Sequence, residues 1–234
     1  MTTASNDQIG TVLVTGGASG LGAATVRAVR ERGGRPLVID RVAPEGDVEY
    51  VIADLADSGA AEQAVHDLVE RAGGRLDGVF TAAGIDSCGR LDTVPTKDWE
   101  RVVHVNLLGT VAVVRAALPH LKESRGTVVT CASTLGIKAV SDATAYCAAK
   151  FGVVGFTRAL AAETAGEVGV TLLIPGGMTT PFFDGRDEQY KPPADAKLND
   201  PAHVANTVLF ALSQPPGCEV REMVVCSSTE SSWP

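Results

Sequence analysis

The sequence predicts an α/β fold, a doubly wound parallel sheet of about seven strands with helices on both faces, folded as a single domain over residues 1–234. Three observations carry this. Short apolar runs alternate with longer helix-like stretches along the whole chain, the pattern of strands joined by helical crossovers. A glycine cluster stands directly between the first apolar run and the first helical stretch, and an aspartate, Asp40, ends the second run. Because such crossovers are right-handed, a sheet wound outward in both directions is the natural topology.

The elements follow in order. The first strand is residues 12–14; the glycine loop 16–22 leads into a helix that runs to about Arg32 and stops at Gly33 and Gly34. Strands at 36–39 and 48–53 come next. Asp57 is placed to cap a helix reaching Arg71, ended by Gly73 and Gly74. A fourth strand at 79–82 precedes a long helix at 98–121, a fifth strand at 126–132, a helix from Thr144 to about Gly166 and a strand at 170–174. Asp200 followed by Pro201 reads as an N-cap and first-turn proline opening a helix to Ser213, and residues 222–226 form the last strand. Residues 181–199 break the pattern. They carry both signs of charge, the adjacent Pro192 and Pro193, and neither a helical nor a strand period, and they are expected to be a substrate lid.

Composition narrows the function. With 45% hydrophobic and 21% charged residues the chain has ample material for a core, which excludes disorder throughout. A net charge of −8 argues against a nucleic-acid partner and against docking on an anionic membrane. The five cysteines, Cys88, Cys131, Cys147, Cys218 and Cys226, form no Cys-x-x-Cys pair and suit neither a disulfide framework nor a zinc site. His66, His104, His120 and His203 lack metal-ligand spacing, so no metal is expected. Residues 1–9 lack the basic and apolar parts of a signal peptide, and no uninterrupted apolar run is long enough to cross a bilayer; the expectation is a cytoplasmic protein.

The loop Thr15-Gly16-Gly17-Ala18-Ser19-Gly20-Leu21-Gly22 is placed to bind a pyrophosphate in the Rossmann manner. Gly16 allows the turn off the strand, Gly20 a close backbone approach, and Gly22 the packing of helix on sheet. The helix N-terminus offers unpaired N–H groups and partial positive charge to the anion. Asp40 can accept hydrogen bonds from the hydroxyls of an adenosine ribose and would repel a 2′-phosphate, which favours NAD over NADP. The bland reading of Asp40 is a turn cap, and the neighbouring Arg41 leaves NADP open, because a guanidinium there can hold a phosphate. Tyr146 and Lys150, four positions apart on a predicted helix, share a face. A neighbouring ammonium, with the positive ring of an oxidised nicotinamide, would bring a phenol towards general acid–base range. Ser133 ends the preceding strand within reach of a substrate oxygen.

Taken together, Thr15 to Gly22, Ser133, Tyr146 and Lys150 in this order resemble the short-chain dehydrogenase/reductase family, and the resemblance runs from the first strand to about Cys226. It implies that Tyr146 is the proton donor or acceptor, that Lys150 lowers its pKa and holds the nicotinamide ribose, that Ser133 orients the carbonyl, and that Asn106 supports a proton relay to the lysine. It further implies cofactor contacts from Gly16, Ser19, Gly20, Leu21, Gly22, Asp40, Asp54, Leu55, Ala83, Gly84, Tyr146, Lys150, Pro175, Gly176 and Thr180. The stretch from Asp200 to Ala205 matches a structural helix start. One departure stands out: where the family has Asn-Ala-Gly after the fourth strand, this chain has Ala82-Ala83-Gly84, so a strand-bracing hydrogen bond must be replaced or lost.

The expected activity is NAD-dependent oxidation and reduction between a small secondary alcohol and its ketone; the alternatives are an NADPH-dependent ketoreductase and a non-catalytic dinucleotide-binding sensor or scaffold. Pocket residues are expected from 85–90, 134–143 and 180–191, without a cluster that names the substrate. The helices at 98–121 and 144–166 are apolar on more than one side, through Val103, Val105, Leu107, Leu108, Val111, Ala112 and Val114 in the first, and Ala148, Phe151, Gly155 and Phe156 in the second. Such breadth implies burial against the sheet and another copy of the chain. A homotetramer is expected, or a homodimer.

Overall fold

Alternation inside the apolar runs divides the two faces of the sheet. In β1 (Thr11–Thr15), Leu13 packs on one side, while Val12 and Val14 pack on the other. The same division continues in β2 (Arg35–Asp40), where Leu37 and Ile39 face one way and Val38 the other. With β3 (Glu49–Ile52), β4 (Gly78–Thr81), β5 (Thr127–Cys131), β6 (Gly169–Pro175) and β7 (Glu222–Val225), they form one seven-stranded sheet in the order β3-β2-β1-β4-β5-β6-β7. All neighbours are parallel. This computed structural model describes residues 9–233. The expectation drawn from residues 1–9 lies outside the described residues except for Ile9, as do the ends of the single-domain span.

Helices α1 (Gly20–Glu31) and α6 (Pro201–Leu212) cover one face, burying Leu21, Val26, Val29, Val204, Val208 and Leu209 against Val12, Val14, Val38 and Phe80. On the other face, α2 (Ser58–Arg71) and α4 (Gly109–Ser124) bring Ala61, Val65, Leu68, Val113, Ala117 and Leu121 onto Leu13, Leu37, Ile39 and Val128. Helix α5 (Thr144–Glu163) packs beside α4 on that face through Val153, Val154 and Leu160. The caps form where expected. Asp57 accepts from Ala60 N at 3.0 Å, and Asp200 from Ala202 N at 2.8 Å.

One expectation is corrected. The predicted helix over 98–121 begins at Thr96 and is not uniform: α3 (Thr96–Val103) opens into a π turn, His104–Leu108, before α4. The wide turn places Asn106 inward, fully buried, with its amide on the backbone of Ile85, which a regular α-helical register does not require. The stretch Thr96–Ser124 is also long and apolar enough to cross a bilayer by length and composition, although His104, Asn106 and Arg115 interrupt its apolar run. More than half of its most apolar window is buried, its side chains spent on α2 and the sheet.

Chain direction sets the site. From β1 the sheet runs out to β3, then restarts at β4 on the other side of β1, so the C-terminal ends of β1 and β4, last paired at Thr15 and Thr81, border a crevice. Residues 181–199 lie over it, with two 3₁₀ turns, Pro181–Phe183 and Glu188–Tyr190, and a bridge between Met178 and Asn199. The segment after β7 folds back across the same end. Glu230 accepts from Gly177 N at 2.9 Å, Lys138 Nζ donates to Ser231 O at 2.9 Å, and Ser232 Oγ lies 2.6 Å from Thr134 Oγ1.

Candidate active site

The glycine loop is shaped by contacts that admit no side chain. Gly16 has φ +70°, and a Cβ there would lie 2.8 Å from Ala83 Cα; at Gly22 it would lie 2.0 Å from Gly16 O. The loop therefore presses onto β4 and onto its own helix, and α1 starts at Gly20 with Ser19 exposed and its hydroxyl not spent on a cap. That leaves a helix N-terminus open to the crevice.

Asp40 makes the backbone contacts of a turn cap and also lines the cleft. Its Oδ2 accepts from Ala18 N in the loop at 2.9 Å, and Oδ1 accepts from Arg41 N at 2.6 Å and Val42 N at 3.2 Å. It ties the end of β2 to the glycine loop, and its carboxylate still faces the cleft beside Arg41. Asp54 stands at the cleft edge, its Oδ2 2.6 Å from Arg101 Nη2 and its Oδ1 accepting from Ala56 N at 3.0 Å. Burial alone would raise its pKa, but the Arg101 and Ala56 hydrogen bonds hold it below the usual carboxylate range.

On the opposite wall, β5 and α5 place the reactive side chains. Ser133 follows β5, and its Oγ accepts from Leu135 N at 3.1 Å. Tyr146 lies one turn before Lys150, and the ammonium is 5.6 Å from the phenol ring centroid. Lys150 is 3% exposed and donates to Cys131 O at 2.8 Å, which fixes it beneath the cleft. Burial lowers the pKa of Lys150 and pushes the phenol of Tyr146 well above its ordinary value, with Cys131 and Asp86 adding to the rise; the Ser133 hydroxyl and Arg186 pull it back only in part. The expected lowering of the phenol is therefore not produced by the chain's own groups, because burial outweighs them.

Every predicted cofactor residue, from Gly16 to Thr180, lines one cleft of about 1160 Å³, together with Ser133. Asn106 does not line it. Its Oδ1 accepts from Ile85 N and its Nδ2 donates to Ile85 O, both at 2.8 Å, so it holds the chain just after β4. A Cβ at Gly84 would lie 3.5 Å from Asn106 Oδ1 and 3.7 Å from Lys150 Nζ, so glycine keeps a small space between amide and ammonium.

At the departure from the family pattern, Ala82 brings no side-chain hydrogen bond, and the backbone N–H of Ala83 donates to Thr15 Oγ1 at 3.2 Å, tying β1 to the chain just after β4. Thr81 Oγ1 is left buried without a hydrogen-bond partner. Among the described residues no cluster of His, Cys, Asp or Glu could hold a metal, and all five cysteines are free.

Sequence reasoning did not single out the groups that close the far end. The Phe182 ring lies tilted against that of Tyr146, with centroids 5.6 Å apart, and Arg186 lies over Phe182 and pairs with Asp86. Thr229, Glu230, Ser231 and Ser232 also line the cleft. The first group sits within the expected pocket segments, but only packing reveals which side chains point inward; the tail carries no motif.

A crevice at the point where strand order reverses, a glycine-lined cradle too tight for side chains and an acidic residue at the end of β2 together fit a dinucleotide. The model of the short chain dehydrogenases matches residues 10–191. The chain is 33% identical to a (2S)-[(R)-hydroxy(phenyl)methyl]succinyl-CoA dehydrogenase subunit of Thauera aromatica, over 85% of this chain and 87% of the relative. It is 30% identical to a meso-2,3-butanediol dehydrogenase of Serratia marcescens, over 86% of each. Among solved structures, an alcohol dehydrogenase from Thermococcus sibiricus in complex with 5-hydroxy-NADP superposes with a TM-score of 0.82 at 22% identity, covering 92% of this chain and 95% of that one.

Proposed function

This chain belongs to the short-chain dehydrogenase family, whose members bind a nicotinamide dinucleotide, and from that premise we propose that it interconverts a small secondary alcohol and its ketone with NAD, using Tyr146 as general acid–base. The observation that carries the reading is the convergence of Ser133, Tyr146 and Lys150 on one wall of the cleft that the glycine loop opens. When bound, the dinucleotide supplies or accepts the hydride.

The chain's residues do the rest. The loop from Gly16 to Gly22 and the start of α1 hold the pyrophosphate, Asp40 the adenosine ribose, Asp54 and Leu55 the adenine end, and Ala83, Gly84, Pro175, Gly176 and Thr180 the nicotinamide half. Ser133 Oγ donates to the substrate oxygen and fixes it beside the phenol. Tyr146 gives its proton to that oxygen in reduction and takes one in oxidation. Since burial holds the phenol high, the phenolate depends on Lys150 and on the charge of oxidised nicotinamide. Asn106 acts through Ile85 and the π turn, and is a positioning residue. The segment 181–199 is the lid, and free cysteines suit a reducing compartment such as the cytoplasm.

Asp40 supports NAD over NADP, since its carboxylate would meet a 2′-phosphate. The NADP-type ligand of the Thermococcus sibiricus enzyme bears on that protein, and at 22% identity the likeness concerns the fold. The test combines turnover and binding. Against a panel of secondary alcohols, vicinal diols and their ketones, Tyr146→Phe loses activity by about 10²–10⁴-fold while its NADH affinity, read by fluorescence titration, stays near that of the parent. Substantial retained turnover removes Tyr146 from the mechanism, and tighter binding of NADPH than NADH overturns the role of Asp40.

A further inference from the structure

The cleft holds one cation whose own chain leaves it underused. Arg186 follows the first 3₁₀ turn of the lid, with its guanidinium carbon 4.6 Å from the ring centroid of Phe182 and 4.9 Å from that of Phe183. Phe182 in turn lies against Tyr146. The charge therefore stands one aromatic ring away from the phenol that handles the substrate oxygen. Its side chain is only 15% exposed. A guanidinium carries five N–H donors in a planar fork. Among the described residues its one ionic partner is Asp86, with Nη2 3.2 Å from Oδ2, and that contact is not aligned as a hydrogen bond: Nη2 is buried without an acceptor. Nε and Nη1 donate to no protein acceptor among the described residues, and unlike Nη2 they are not shut off from solvent. Asp86 is itself committed, its Oδ1 accepting from Ser87 N at 2.7 Å and its Oδ2 from Cys88 Sγ at 3.3 Å. Of these donors only Nη2 is buried unpaired; Nε and Nη1 are free to pair with a ligand. Both residues line the cleft, so the missing partner can come from the substrate.

We infer that Arg186 is a substrate-binding residue that pairs with a carboxylate carried a few bonds from the reacting carbon, which makes the substrate a hydroxy acid and the product its keto acid. Nη2 is turned to Asp86, and the open Nε–H and Nη1–H donors can give charge-assisted hydrogen bonds to a carboxylate oxygen. Asp86 beside the guanidinium favours a monoanion over a phosphate dianion, since one cation already shares its charge with one carboxylate. The flanking rings of Phe182 and Phe183 suit an apolar chain between carboxylate and carbinol. The reaction assigned to this substrate rests on the oxidoreductase reading, whereas the anion site does not.

The experiment has a binding arm and a turnover arm. Calorimetric titration of the protein in the presence of NADH is made with butyrate and hexanoate and with the corresponding carboxamides. Carboxylates are expected to bind at least tenfold more tightly than carboxamides, and Arg186→Met to weaken them by about 10–100-fold. Arg186→Lys retains part of the affinity, and Asp86→Asn, which frees the guanidinium from its partner, keeps or raises it. In turnover, 3-hydroxy acids of four to eight carbons are compared with their methyl esters and with neutral diols, and the acid-to-ester ratio of kcat/KM collapses in Arg186→Met. Equal binding of acids and amides, or losses in Arg186→Met and Asp86→Asn that are the same for charged and neutral compounds, would mean that the pair only holds the lid, and overturns the inference. Turnover of diols and esters with no preference for acids also overturns it and leaves the oxidoreductase reading standing. No turnover of any alcohol, with carboxylate binding still dependent on Arg186, overturns that reading and keeps the anion site.

Discussion

At the scale of single residues, the phenol of Tyr146 poses the main question. Burial pushes its pKa above the ordinary value, and a tyrosine so placed is a poor base near neutrality. Arg186 and the Ser133 hydroxyl oppose this in part, and Lys150 is the nearest cation on the same helix face. It is held by Cys131 O and has only 3% of its surface exposed, so little water screens it. The sign follows directly. Alcohol oxidation needs the phenolate, so kcat/KM for oxidation rises with pH through the phenol's pKa. In Lys150→Met the ammonium is gone and only Arg186 and the Ser133 hydroxyl are left to oppose burial, so the phenol's pKa is expected to move up and the rising limb of the residual activity to shift to higher pH. A pH profile with its limb unmoved would show that the ammonium serves only to hold ribose. The pairing of Tyr146 with Lys150 was legible because helical spacing alone puts them on one face. Asp40 was legible as to place, but not its threefold bonding to backbone N–H groups, which depends on how the glycine loop folds onto β2. Arg186 lay in an aperiodic segment, and its meaning arises from packing against Phe182 and Asp86, far away in sequence.

At the scale of elements, β4 and the π turn show where the chain departs from regularity. Strands and caps could be read because each rests on local chemistry: apolar runs for the sheet, Asp57 and Asp200 for the helix starts. The break at His104–Leu108 could not, since its cause is a tertiary contact, the double hydrogen bond of Asn106 with Ile85. The site end of β4 carries a defect of the opposite kind. Thr81 is 2% exposed and its hydroxyl has no partner, while the neighbouring strand is braced by Thr15. Removing an unpaired buried hydroxyl without changing side-chain shape relieves a desolvation penalty of about 1–3 kcal/mol. Thr81→Val is therefore expected to raise stability by about 1 kcal/mol, seen as a higher urea midpoint at unchanged slope. A lowered midpoint would mean that the hydroxyl is satisfied in solution and that Thr15 is not the sole brace.

At the scale of the whole molecule, what remains exposed bears on assembly. The breadth of apolar surface noted on two helices survives folding only in part. Val105, Ala112 and Val114 are buried, whereas Leu108 and Phe151 stay 40% and 45% exposed. Ala148, Phe151 and Gly155 share one exposed face of α5, and nothing lies within 4 Å of where a Cβ on Gly155 would sit, so a second backbone can approach closely. Elsewhere Phe210 of α6 is 54% exposed, and Val224 of the edge strand β7, which shares with Glu222 the side of the sheet nearer α5, is 38% exposed. Open edge strands and large exposed aromatics call for cover. Two distinct contacts, one on the α5 face and one around Phe210 of α6, each made about its own two-fold axis with the axes crossing at right angles, would give a closed assembly of four chains. We therefore propose a homotetramer, with light scattering at micromolar concentration giving four times the 24.2 kDa chain mass. Phe151→Arg places a charge in the α5 contact and should halve that mass, and adding Phe210→Arg should halve it again. Since both side chains are already exposed, neither change disturbs the core, so circular dichroism should be unaltered. A single-chain mass for the unaltered protein would sink the proposal, and an unchanged tetramer in Phe151→Arg would move the interface off α5.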